Sequence, residues 1–376
     1  MRAPIYLDHN ATTPVDPQVV RVVARALKIF GNPSSAHAYG KTAHAAVAEA
    51  RAEVAALIQA LPEEVIFTSG ATEANNLAIR GAAFAMASRG RHIVTSVVEH
   101  PSVAAPCHWL SEHGFTITTV GVDAHGHVSV QAIVDALRPD TTMISVIHAH
   151  NEIGSVQDIA AITAVARRRG ILTHTDAAQS AGKIPLSVKD LGVDLLTLAG
   201  HKFGAPKGVG ALYVRAGTPL VPVLVGAGQE RGLRPGTENV PAILGLGETA
   251  RLARIRLPKL TLRLRARRDL LRRRLTQAIP GLAVNGDPDG GLPNTLNISF
   301  PGVTGRDLLA ASERDVAAST GSACHAHSSQ RDALAAMGLP PERQRGAVRL
   351  SLGRSTTVAD IEDATAALVK AWAGLA

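Results

Sequence analysis

Thr173-His174-Thr175-Asp176-Ala177-Ala178-Gln179-Ser180 and Thr197-Leu198-Ala199-Gly200-His201-Lys202-Phe203-Gly204 are the two stretches on which the fold turns. The first follows the short apolar run Gly170-Ile171-Leu172, so Asp176 reads as a carboxylate at the end of a strand. The second places Lys202 in a Gly-His setting about a strand and a helix further on. Singly, each is ordinary: an Asp after a strand is commonly a cap, and a Lys beside Gly is commonly a solvated loop charge. As a pair they carry a specific chemistry. A lysine amine can hold pyridoxal phosphate as a Schiff base, and an acid paired with the pyridinium nitrogen lets the ring accept electrons.

Outward from this pair, short apolar runs alternate with helical patterns from Glu64 to about Val214. Val65–Phe67, His92–Val94, Phe115–Thr118, Met143–Ile147, Ile171–Leu172, Leu195–Leu198 and Ala211–Val214 read as strands, with helices such as Glu73–Ser88 and Asp158–Arg169 between them. That alternation predicts an α/β fold with a mostly parallel sheet covered by helices on both faces. Asp16-Pro17 opens an earlier helix that runs to about Phe30 and is broken by Gly31-Asn32-Pro33-Ser34-Ser35. A smaller mixed α+β region follows residue 285 and ends in a helix from about Val358. The expected division is a large cofactor-binding domain over 16–258 and a small domain made of 1–15 and 259–376.

The bulk composition bounds the function. The 376 residues are 46% hydrophobic but only 3% aromatic, so Leu, Val, Ile and Ala must fill the cores. Cys107 and Cys324 lie too far apart in sequence to suggest a disulfide framework. The N-terminus lacks an apolar signal core, and no run approaches the roughly 18 apolar residues of a membrane span. A soluble, cytoplasmic protein is expected. The net charge of +8 is concentrated between Arg251 and Arg274, where ten Arg and Lys259 face a single acid, Asp269. Leu257, Leu260, Leu264, Leu271 and Leu275 form one apolar stripe there, which predicts a long helix with a basic solvated face. The alternative is a patch for an acidic protein or nucleic acid. No aromatic interleaves the arginines to stack on bases, which argues against nucleic acid.

Four further segments carry chemistry. Thr68-Ser69-Gly70-Ala71-Thr72-Glu73 follows a strand and opens a helix; alone it reads as an N-cap, but with Asp176 and Lys202 downstream its small residues let backbone N–H groups, with Ala71 and Thr72, close on a phosphate. His100, in Val98-Glu99-His100-Pro101-Ser102, is either a helix-entry residue or a ring set against the cofactor face that can also move protons. His148-Ala149-His150 lacks a third nearby ligand, so no metal site is expected; Asn151 beside it is an amide able to reach a substrate carboxylate. Cys324 lies in a small, polar run, Ala318–Ser329, where it reads as a nucleophile, a metal ligand or a bystander. Cys107, in an apolar helical context, reads as a core residue.

Together these segments resemble the cysteine desulfurases, the NifS/IscS group of the class V aminotransferases, which share the type I pyridoxal-phosphate-dependent transferase fold. The resemblance spans almost the whole chain, from Tyr6-Leu7-Asp8-His9-Asn10-Ala11-Thr12-Thr13-Pro14 to Arg349-Leu350-Ser351-Leu352-Gly353-Arg354. Between them lie Gly31–Ser35, the Gly-Ala-Thr-Glu turn, Asn151-Glu152-Ile153-Gly154, Gly200-His201-Lys202 and Gly321-Ser322-Ala323-Cys324. His325-Ala326-His327 and Arg234-Pro235-Gly236-Thr237-Glu238-Asn239 are similar to selenocysteine lyases. The resemblance implies a homodimer that takes sulfur from L-cysteine, or selenium from L-selenocysteine, and passes it to an acceptor protein. It implies Lys202 as the Schiff-base lysine and Cα base, Asp176 on the pyridinium, Gln179 on the ring oxygen and His100 stacked on the ring. Thr72, His201 and, from a second subunit, Thr237 would hold the phosphate. Asn151 and Arg349 would hold the substrate carboxylate, and Cys324 would take the sulfur as a persulfide. Another class V aminotransferase or lyase, with Cys324 a bystander, is the remaining alternative.

Two departures from the family pattern bear on these expectations. Ala199 stands where many relatives carry a phosphate-binding Ser, so one hydroxyl contact is expected to be missing. Only one helix is expected after Arg354, whereas relatives that serve iron–sulfur cluster biogenesis dock their scaffold with a longer extension. Delivery to that scaffold is therefore not implied here.

Overall fold

The apolar runs between Glu64 and Val214 assemble into a single seven-stranded sheet, in a computed structural model that describes residues 3–320 and 333–376. A two-residue strand, β1 (Ile5–Tyr6), comes first in the chain. The large sheet then uses β2 (Val65–Thr68), β3 (His92–Ser96), β4 (Thr116–Val120), β5 (Thr141–Ser145), β6 (Leu172–Asp176), β7 (Leu195–Ala199) and β8 (Gly210–Val214). Their order is β2-β8-β7-β6-β5-β3-β4, parallel except that β8 runs antiparallel to both of its neighbours. The expected mostly parallel α/β sheet is what forms.

Period-two alternation explains why both faces are covered. Phe67, Val94, Ile144 and Leu196 pack into one core, while their chain neighbours Ile66, Ile93, Met143 and Leu195 pack into another on the opposite face. The helices are α1 (Pro17–Ala26), α2 (Ala38–Ile58), α3 (Ala71–Ala85), α4 (Pro101–Ser111), α5 (Val130–Ala136), α6 (Ile159–Arg168), α7 (Val188–Leu191) and α8 (Val240–Ala278). Helices α3 and α4 supply the second core, whereas α2, α6 and the first half of α8 supply the first. Helix α2 has no counterpart in the sequence reading. Its alanine-rich face gives little amphipathic contrast, and its side chains meet α8 closely enough that a Cβ on Gly247 would stand 2.6 Å from Ala50 Cα.

The basic segment is the second half of α8, which continues through Pro258. Its first half belongs to the large core, and Leu264, Leu271 and Leu275 belong to a separate core with the C-terminal helix Val358–Ala373. The arginines are largely engaged within the chain. Arg254 pairs with Glu53 at 2.9 Å, Arg256 with Asp16 at 2.5 Å and Arg274 with Glu362 at 3.0 Å. Arg268, only 1% exposed, donates to Leu292 O at 3.1 Å and pairs with Asp269 at 2.8 Å. These bonds tie α8 to several elements at once, so its charge is structural as much as solvated. No helix among the described residues is long and apolar enough to cross a membrane.

The remaining strands are β9 (Ala283–Asn285), β10 (Thr295–Ser299), β11 (Val316–Ala317) and β12 (Ala347–Ser351). Antiparallel β12-β10-β9 forms a small sheet, and β1 pairs with β11. After β1, the arm bridges Asp8 to Ser351 of the small sheet and then meets the large unit, where Thr13 N donates to His201 O at 3.0 Å. This crossing brings residues 8–13 to the carboxyl ends of the parallel strands.

Candidate active site

The carboxyl ends of β5, β6 and β7 open onto a cleft of about 420 Å³, a size suited to a small-molecule cofactor. Ala71, Thr72, His100, Asn151, Asp176, Gln179, His201 and Lys202 all line it. Eight of the sequence-predicted residues therefore converge on one space. Asp176 ends β6, and Lys202 closes the single 3-10 turn Gly200–Lys202 that follows β7. A Cβ on Gly200 would lie 2.9 Å from both the Ala205 side chain and Val209 O, so the turn needs glycine to pack this tightly.

The floor beside α3 suits an anion. Gly70 is the N-cap of α3, at φ 152°, and no side chain caps the helix. The first-turn N–H groups thus face the cleft without an internal acceptor from a capping side chain. Gly70 and Gly210 approach so closely that a Cβ on Gly210 would sit 2.7 Å from Gly70 Cα. Lys202 and Lys207 both line the same space and add positive potential. His201 is pushed down to about 4 by burial and then by Lys202, Lys207 and Lys183, so its ring is neutral, with Nδ1 3.1 Å from Thr12 Oγ1. Ala199 also lines the cleft and brings no hydroxyl.

Asp176 is held by a relay that sequence reasoning missed. Its Oδ1 accepts from Ala178 N at 2.9 Å and its Oδ2 from Asn75 Nδ2 at 2.8 Å. Asn75, fully buried on α3, also donates to Ser102 Oγ at 2.8 Å. Ser102 Oγ in turn lies 2.8 Å from His100 Nδ1, which accepts from Ser102 N at 3.1 Å. A ring nitrogen accepting from a backbone N–H carries no proton of its own, so neutral His100 holds its proton on Nε2. The signal for Asn75 was present: it lies four residues after Ala71, one helical turn in. Beneath His100, Glu99 is pushed up to about 8 by burial, with Asp176 adding to the rise, and it accepts from Ser96 Oγ at 2.5 Å and Ile147 N at 2.9 Å.

Lys202 Nζ donates to Asn10 O at 2.7 Å and Ala11 O at 3.0 Å on the N-terminal arm. Arg349, from β12, reaches the site from the small sheet. Its NH2 pairs with Asp8 Oδ1 at 2.6 Å and its NH1 donates to Asn151 O at 3.2 Å, so it is brought beside Asn151 but does not line the cleft. Thr237 is exposed in the turn before α8 and is not among the residues lining this chain's cleft. Cys324 lies outside the described residues. Cys107 is buried on α4 and its thiol is pushed up to about 12 by burial, so it is an inert core residue.

Pyridoxal phosphate can be tested against this donor set. An uncapped helix N-terminus suits its phosphate, a fixed carboxylate suits a ring cation, and a cleft-facing amine suits covalent attachment; the residues fit the group.

The class-V aminotransferase model matches residues 5–363. The chain belongs to the class-V aminotransferase family. A Dictyoglomus turgidum protein named cysteine desulfurase IscS is 44% identical over 364 residues, covering 96% of this chain and 92% of that one. Cysteine desulfurase 1 of Trichormus variabilis is 44% identical over 361 residues, covering 95% and 90%. Among solved structures, a NifS-like protein matches with a TM-score of 0.93 at 34% identity over 100% of both chains. A structure described as SspA in complex with cysteine matches at TM-score 0.82 and 38% identity, covering 92% of this chain and 98% of that one. The fold and family expectations are thereby established.

Proposed function

We propose that this protein is a pyridoxal-phosphate-dependent cysteine desulfurase. The observation that carries the reading is the convergence of Lys202, Asp176 and the uncapped α3 N-terminus on one cleft, in a chain 44% identical to proteins named cysteine desulfurase. When bound, the cofactor supplies an electron sink that labilises bonds at the substrate's α and β carbons. Everything else is done by this chain's residues.

The α3 N–H groups with Thr72 and His201 would hold the phosphate, and Asp176, kept in place by Asn75 and Ala178, would hold the ring nitrogen's proton. Lys202 Nζ would hold the cofactor, and its amine would take the substrate's Cα proton; the carbonyls of Asn10 and Ala11 orient that amine. His100 would face the ring and could move protons through Nε2, since its Nδ1 accepts from Ser102 N. Asn151 and Arg349 receive the substrate carboxylate, with Asp8 fixing the guanidinium. Cys324 thiolate would attack the sulfur of L-cysteine: the S–S bond forms as the substrate C–S bond breaks with its electron pair going to the β carbon, and protonation there, with return of a proton to Cα, gives L-alanine. The persulfide left on Cys324 passes to an acceptor protein. Thr237, exposed here, serves the cleft of a second copy in a homodimer. On the same reading, residues 16–258 form the cofactor-binding unit and 1–15 with 259–376 the unit bearing the cysteine loop.

The test is a parallel assay of alanine, sulfide and selenide release from L-cysteine and L-selenocysteine, in wild type and Cys324→Ala. Cys324→Ala is expected to keep the visible absorption of lysine-bound cofactor and lose desulfuration. Undiminished desulfuration in that variant, or added sulfur found on Cys107 by mass spectrometry, overturns the mechanism.

A further inference from the structure

Lys183 is a buried lysine to which the reaction above gives no task. It is 5% exposed and follows Gln179 by four residues in the turn after β6. Its Nζ donates to Gln179 Oε1 at 2.6 Å and to Asn10 Oδ1 at 2.9 Å. Both acceptors are neutral amides. The charged groups acting on it, Lys202 and Arg349, are cations that, with burial, push its amine well below the ordinary lysine value. Burying an amine among cations costs stability unless something is gained by it.

The gain is in the polarity of two amides. An amide presents oxygen on one side and NH2 on the other, and only its partners decide which way it faces. Lys183 as an ammonium only donates and the Asn10 carbonyl only accepts, so together they place the Gln179 oxygen toward the lysine and the nitrogen toward Asn10 O. Gln179 Nε2 is thereby turned away from Lys183; it gives one hydrogen to Asn10 O at 2.9 Å, and its second is available to the cleft that Gln179 lines. Asn10 is fixed in the same way. Its Oδ1 takes Lys183 and Asn294 Nδ2, and its Nδ2 is sent to Asn151 O at 3.0 Å and Thr295 Oγ1 at 2.8 Å.

We propose that Lys183 is a positioning residue that fixes the Gln179 amide with its NH2 toward the cleft, so that the site offers a hydrogen-bond donor to an anionic oxygen of the bound ring. The inference rests on the pyridoxal reading above and assigns a residue which that reading leaves idle. Its consequence is electrostatic. A donor aimed at the ring oxygen favours the more negative state of the lysine-bound cofactor, so losing it raises the pH at which that cofactor titrates.

The experiment measures the pH midpoint of the visible absorption of the bound cofactor in holoenzyme. It compares wild type, Lys183→Met, Lys183→Arg, Gln179→Leu and the double variant Lys183→Met/Gln179→Leu. Lys183→Met and Gln179→Leu should each raise the midpoint by about one pH unit, the scale of one hydrogen bond to a charged group. Lys183→Arg, again donor-only, should restore it. The double variant should match Gln179→Leu alone, because Lys183 acts through Gln179. An unmoved midpoint in Lys183→Met overturns the proposal, and so does full additivity, which would mean that the charge acts directly. If Lys183→Met does not fold, neutron diffraction of wild-type crystals reads the amide itself. Deuterium on the cleft-facing atom supports the proposal, and deuterium on the atom facing Lys183 overturns it. Wild type without any visible band would instead sink the pyridoxal reading, a failure distinct from these.

Discussion

Replacing Asn75 with Asp tests the relay that holds Asp176. The side chains are nearly isosteric, but the donor 2.8 Å from Asp176 Oδ2 becomes a second carboxyl oxygen. Two unit charges at that separation repel by about 6 kcal/mol at an effective dielectric near 20, equivalent to about four pH units. The introduced carboxyl therefore keeps its proton up to about pH 8 and donates to Asp176 much as the amide does. Below that pH, Asn75→Asp should retain cofactor and fold nearly as wild type. Above it, the second charge should expel cofactor and lower the melting temperature. Asn75→Leu removes the donor outright and leaves a buried acceptor without its partner, a cost of about 1–3 kcal/mol with no such pH step. Cofactor retention and thermal unfolding, followed from about pH 6 to about pH 9, separate the two. If Asn75→Asp loses cofactor equally at every pH, or tracks wild type throughout, the relay does not hold the acid as described.

Lys202→Ala should fold, because the bonds its amine makes to the Asn10 and Ala11 carbonyls each contribute only about 1 kcal/mol, yet it should lose the visible band and all turnover; full activity with normal cofactor binding contradicts the assignment. Arg349→Lys keeps the charge but loses the fork that meets Asp8 and Asn151 O together, so KM for cysteine should rise about tenfold with a smaller change in kcat. Steady-state kinetics showing only kcat lowered would place Arg349 outside substrate binding. His9, His148 and His174 are pushed down by burial from 6.5 to about 4, as is His201. The unfolded chain takes up those protons first, so stability should be lost as pH falls from 6.5 toward 4, and a flat melting curve over that window refutes it. Glu99 acts in the opposite sense. Pushed up from 4.5 to about 8, it keeps a proton that the unfolded chain has lost, so above pH 6.5, where the histidines no longer contribute, stability should fall as pH rises toward 8, and Glu99→Gln should flatten that limb.

How far a sequence exposes its own fold depends on the range of the forces involved. The strand runs and their order-independent alternation were readable because burial on both faces imposes continuous apolar stretches such as Leu195–Leu198. The site residues at strand ends were readable because the topology delivers β5, β6 and β7 to one edge, whatever the loops between them. Helix α2 was hidden by its alanine content, and the engagement of the arginines on α8 was hidden because their partners, Asp16, Glu53 and Glu362, are far away in sequence.

The polar interior was the least readable layer, for a physical reason. Asn10 bonds residues 151, 179, 183, 202, 294, 295 and 351, and no periodicity marks a residue whose partners lie 141 to 341 positions away. Apolar burial tolerates many substitutions of similar volume, whereas a buried amide must find a matching donor or acceptor at each atom. Its placement therefore depends on partners from both the large sheet's loops and the small sheet. The arm thus does more than join the small sheet to the large one. By accepting from Lys202 and Gln179 while donating to Asn151, the single residue Asn10 couples three residues that line the cleft. A shift of the arm would disturb all three together, so residues 8–13 hold the cleft's geometry although they do not line it.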